Sequence, residues 1–149
     1  MQVRALLYRS KRKANRLLAS FRYLGLPWSD LPQVTGKEWL SLCAPVPAGR
    51  PVLYALALRP KGRPGAWELA LDAARLLEER AGVELNWAWA LRTSGAAWLL
   101  LCPWALDWAK KPRWYRPGPA DLQALREELG ARWDIDGRPV CPGGRGRGR

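Results

Sequence analysis

Four aromatic residues and four cations share one short stretch of this 149-residue chain. Trp104, Trp108, Trp114 and Tyr115 are interleaved with Lys110, Lys111, Arg113 and Arg116. Together these side chains suit one kind of chemistry: cations capture phosphates, and flat rings stack on unpaired bases or on guanidinium groups. Arg9, Arg12, Lys13 and Arg16 form a second cationic group near the N-terminus. A third lies at the C-terminus, with Arg138 and then Arg145, Arg147 and Arg149 in "GGRGRGR". Counted with Arg4, Lys11 and Arg22, fifteen of the 25 Lys and Arg residues fall in three segments free of Asp and Glu. The remainder holds ten basic and 13 acidic residues, an ordinary slightly acidic domain with three basic attachments. Clustering of this kind is the electrostatic footprint of a polyanion binder, because each neutralised phosphate releases condensed counterions.

Covalent and metal chemistry have little to work with. Histidine is absent, which removes Ser-His-Asp and Cys-His catalysis and His-based metal sites. The cysteines Cys43, Cys102 and Cys141 are widely spaced and form no CxxC, so no structural zinc site is expected. Their odd number argues against a disulfide framework and suits a reducing compartment, so the cytoplasm is the expected location. Asp134 and Asp136 form a DxD that could hold Mg²⁺ against a phosphate, with Asp107 or Glu84 as a third acid. Their place beside Gly137 reads better as a turn. The expectation is a protein that is not an enzyme and carries no cofactor or metal.

These residues need elements to position them. The length suits one domain with a real core, and 48% hydrophobic content excludes wholesale disorder. No apolar run is long enough to span a bilayer, and the charged N-terminus lacks the apolar stretch of a secretory signal. Ala14, Leu17, Leu18, Phe21 and Leu24 share one helix face, with most of the cations off it, so residues 1–26 read as a basic amphipathic helix. Residues 27–51 read as a Pro/Gly-rich linker with a short helix around 37–42. Residues 52–140 form the expected α+β domain. Val52–Arg59 is a strand, and Trp67–Ala81 a helix with Trp67, Ala70, Leu71, Ala74, Leu77 and Ala81 inward. Leu85–Leu91 and Ala97–Cys102 are a hairpin across a turn holding Gly95. Ala120–Leu129 is a second helix with Leu122, Leu125 and Leu129 inward, and residues 132–135 a last strand. Residues 141–149 read as a disordered Arg-Gly tail.

The order strand, helix, strand, strand, helix, strand resembles ferredoxin-like, split β-α-β folds. That resemblance implies an antiparallel sheet with two helices on one face. The other face is then free for a ligand or for the N-terminal helix. On a free face Tyr54 and Trp98 would stack bases, as sheet aromatics do in RNA-recognition modules, although "SGAAWLLL" lacks the second signature of those modules. The tail resembles the Arg-Gly boxes of RNA-binding proteins. A strand, helix and hairpin behind a basic helix also looks like the core of relaxases and rolling-circle replication initiators. Those enzymes carry a His-hydrophobic-His motif on a hairpin strand, here Ala97–Cys102, where no His stands. Tyr8, Tyr23 or Tyr115 could not act as their nucleophile without that metal, so such kinship would leave a binding domain only.

The expected function is therefore non-catalytic nucleic-acid binding. Single-stranded DNA or RNA is favoured, since duplexes hide their base faces. Phosphates would sit on Arg9, Arg12, Lys13, Arg16, Lys110, Lys111, Arg113, Arg116, Arg145 and Arg147, and bases on Trp114 and Tyr115, with Tyr54, Trp98 and Trp108 as further stacking residues. The alternative is an accessory or inhibitory module that docks on an acidic surface of a larger complex, because Trp and Arg are also the residues of binding hot spots.

Overall fold

A computed structural model describes residues 1–32, 34–43, 49–92 and 96–134. They form an α+β architecture around one six-stranded antiparallel sheet. The chain begins with strand β1 (Gln2–Tyr8), helix α1 (Lys11–Ala19), strand β2 (Tyr23–Gly25) and helix α2 (Gly36–Cys43). Strand β3 (Leu53–Arg59), helix α3 (Ala66–Ala81), strand β4 (Glu84–Leu91) and strand β5 (Ala97–Leu106) follow. Strand β6 (Pro112–Trp114) leads into helix α4 (Pro119–Ala124), a π-helical turn (Leu125–Leu129) and helix α5 (Gly130–Trp133). The sheet order is β1-β3-β5-β4-β2, and β6 pairs with the far end of β5.

Two apolar cores sandwich this sheet. Val3, Tyr54, Leu56, Leu58, Trp87, Trp89, Leu99 and Leu101 meet α3 and the C-terminal helices on one face. Leu53, Ala55, Ala57, Ala88, Ala90, Trp98 and Leu100 meet α1 and α2 on the other. The large Trp98 fits because its cross-strand neighbours, Ala57 and Ala90, are both small. Neither face is open, which corrects the expectation for Tyr54 and Trp98. They are 7% and 5% exposed and belong to opposite faces, so they cannot form a stacking platform.

Residues 1–26 are a strand, a helix and a strand, not one helix. Helix α1 starts where the Ser10 side chain accepts from the Lys13 amide and buries Ala14, Leu17 and Leu18 as the periodicity predicts. The strands on either side supply both edges of the sheet. The short helix expected in the linker is α2, opened by a reciprocal capping box between Thr35 and Glu38. It is part of the core: Trp39 is buried, and Cys43 forms a disulfide with Cys102 of β5. That bond overturns the reading of the cysteines as unpaired and removes the argument from them for a reducing compartment. Gly25 lies so close to the Trp89 indole that a Cβ there would clash.

Helix α3 ends as expected at Gly82, whose φ of 66° needs no side chain. Its buried stripe is Leu69, Ala70, Ala73, Ala74 and Leu77, turned from the predicted one. Trp67 and Leu71 are only partly buried, and Trp67 instead donates from Nε1 to the Pro27 carbonyl. Leu125 and Leu129 point inward as predicted, and Leu122 is partly buried. The last strand expected at 132–135 is helical through Trp133. Its place beside β3 is taken by β1.

Candidate nucleic-acid interface

The aromatic and basic segment is a hairpin, not a loop, and it divides into two parts of different character. At its tip, Asp107 organises the turn. Its Oδ1 accepts from the amides of Ala109 and Lys111, and its Oδ2 accepts from Arg113 Nε at 2.7 Å. The Arg113 guanidinium and the Lys111 amide hold the Asp107 carboxyl below its ordinary range. Lys110, at φ 62°, reaches Glu84 at 2.9 Å. Both cations therefore already have carboxylate partners. Trp108, 92% exposed, borders a hollow walled by Glu78, Glu79 and Glu84, poor ground for a phosphate.

At its base the hairpin meets the junction where β1 ends and β3 begins. Arg9 donates from Nη1 to the Gly49 carbonyl at 3.0 Å, which ties the end of β1 to the lead-in of β3. The next residue, Arg50, lays its guanidinium over the Trp114 ring at 4.4 Å. Arg116, two residues beyond Trp114, lines a groove together with Tyr54. Burial pushes the Tyr54 phenol up, while the positive charges of Arg116, Arg9 and Arg50 pull it the other way. The charges of three guanidinium groups thus reach one buried tyrosine. All three are exposed, and none pairs with a carboxylate among the described residues. Trp114 remains 46% exposed.

This junction joins Arg9, Trp114, Arg116 and Tyr54, four of the residues singled out in the sequence. Tyr54 is buried in the core on the α3 side and offers no stacking ring. Arg50 went unnoticed there. Its cue was adjacency to the start of a strand, but its partner Trp114 lies far along the chain. Arg12, Lys13 and Arg16 are exposed on α1. Tyr115 is buried, and burial pushes its phenol well above the ordinary range, so it offers no stacking face. Asp134 accepts from the Met1 amino group and from the Lys61 amide. Burial alone would raise its carboxyl, but those two donors hold it below its ordinary value. Asp136, Cys141, Arg138, Arg145, Arg147, Arg149, Gly95 and the tail 141–149 lie outside the described residues. Among the described residues no cluster of three metal-ligating side chains exists, and no helix is long and apolar enough to cross a membrane. Set against family models, curated proteins and solved structures, the chain matches none of them.

Proposed function

We propose that the protein binds single-stranded nucleic acid without catalysing its chemistry. Phosphates would be held by Arg9, Arg50 and Arg116, and an unpaired base would stack at Trp114. The observation that carries this reading is Arg50 laid over a half-exposed indole, with Arg9 tied to the adjacent Gly49 carbonyl and Arg116 two residues beyond Trp114, all three without carboxylate partners among the described residues. Arg50 over Trp114 is a pre-ordered pair, so little side-chain entropy remains to be lost on binding. The exposed cations Arg12, Lys13 and Arg16 of α1 add to the attraction. We read the scaffold as a ferredoxin-like sheet in permuted order. Strand β3, helix α3 and the β4–β5 hairpin run in the usual sequence, and β1 fills the place of the closing strand beside β3.

Fluorescence anisotropy with a labelled single-stranded oligonucleotide tests this. Replacing Arg9, Arg50 and Arg116 with Ala together should weaken binding at least about tenfold. It should also flatten the salt dependence, since each lost phosphate contact on a single strand removes roughly 0.7 from the log–log slope. Replacing Lys110 and Arg113, which already have partners, should change affinity less than about twofold. Unchanged affinity in the triple variant, or equal affinity for a duplex, would overturn the reading.

A further inference from the structure

Beside the arginine cluster the outer edge of β1 borders a groove of about 420 Å³. Its walls are Leu7 and Tyr54 on the sheet side and Pro119 and Leu122 from α4, with Arg116 at one end. The polarity of its β1 side follows from strand alternation. The Tyr8 carbonyl accepts from the Val52 amide on the β3 side. Alternate residues of an antiparallel strand turn both backbone groups the same way, so those of Val3, Ala5 and Leu7 face outward. Arg126 agrees with this, since its Nη2 donates to the Val3 carbonyl at 3.1 Å. No described strand pairs with that edge. The groove thus combines apolar walls, a short row of backbone donors and acceptors at Ala5 and Leu7, and the cation of Arg116.

We propose that this groove takes one unpaired nucleotide, with its base against the β1 edge and its phosphate on Arg116, Arg9 and Arg50. The proposal rests on the nucleic-acid reading and names the ligand unit of that site. The volume falls within the range of small-molecule pockets, and base edges carry the donors and acceptors that backbone amides can read. An extended peptide adding to the edge is the competing occupant, because free strand edges recruit strands. Arg126 disfavours it: by occupying the Val3 carbonyl it leaves outward groups on only Ala5 and Leu7 fully open, too short a ladder for strand addition.

The test uses the full chain and the four ribonucleoside 5′-monophosphates, with the matching nucleosides and inorganic phosphate as controls. Displacement of a labelled single-stranded oligonucleotide and the NMR shifts of the Ala5 and Leu7 amides are followed. A 5′-monophosphate should displace the oligonucleotide at least about tenfold better than its nucleoside or phosphate alone and should move both amides. Leu122→Trp, which fills the groove, should weaken the mononucleotide at least about tenfold. If the oligonucleotide binds through the arginines while no mononucleotide competes or moves those amides, this proposal fails and the nucleic-acid reading stands. If neither oligonucleotide nor mononucleotide binds, both fail. If an acidic peptide moves the two amides and mononucleotides do not, strand addition replaces the proposal.

Discussion

Tyr115 follows β6 with its ring buried and its hydroxyl without a partner among the described residues. A buried donor that has lost water and gained nothing costs free energy, so removing it is neutral or favourable. Tyr115→Phe should leave stability unchanged or raise it by up to about 1 kcal/mol, read from urea unfolding, with nucleic-acid affinity unchanged. A loss of affinity would mean that the phenol reaches the ligand. The same residue shows how far side-chain type and spacing reveal a site. Trp114, Tyr115 and Arg116 are adjacent, yet β6 geometry exposes the first and third and buries the second. Arg9 and Arg116 were legible as cations. Their union with Arg50 was not, because it depends on β1, β3 and β6 meeting at one corner. Lys110 and Arg113 looked free because their acids, Glu84 and Asp107, lie just outside the acid-free stretch or far from it.

Among the elements, β3, α3, β4 and β5 were legible because each carries its own period or is bounded by Pro and Gly. Strand β1 was not. Its residues serve two cores, with Val3 in one and Leu6 and Tyr8 beside the other, so no alternation of apolar and polar residues marks it as a strand. The hydrophobic face of α1 then drew its neighbours into a longer helix than the chain forms. Helix α2 was visible only as a short segment, and its disulfide could not be read from three cysteines whose pairing spacing leaves open. The Cys43–Cys102 bond spans 59 residues and fastens the α2 layer to β5. A second tie supports it, the Trp104 Nε1 donating to the Cys43 carbonyl at 2.8 Å. Cross-links of this reach restrict the unfolded chain and contribute about 2–4 kcal/mol. Reductant, or Cys43→Ser with Cys102→Ser, should lower the urea midpoint by a corresponding amount. An unchanged midpoint would mean that the bond does not form in solution.

At the scale of the whole molecule, the ten tryptophans find their explanation in the sandwich. A sheet covered on both faces needs two cores, and Trp39, Trp87, Trp89, Trp98 and Trp133 are buried in them. Trp28, Trp108 and Trp114 are the exposed ones. Half of the tryptophans that suggested stacking surface in the sequence are thus interior. The feature that holds the interior together is β5, bonded to β3 and β4 on its two sides, paired with β6 at its end and joined covalently to α2. A strand so placed cannot open while its neighbours stay closed. The amides of Leu99, Leu100 and Leu101 should therefore exchange with deuterium only through complete unfolding, with the same denaturant dependence as the global transition. Reduction of Cys43–Cys102 should separate the layers. Amides of α1 and α2 would then exchange through a partial opening that leaves α3 and the helices after β6 protected. Strand β5 makes one cooperative unit of two half-structures, and the disulfide sets whether they come apart together or in turn.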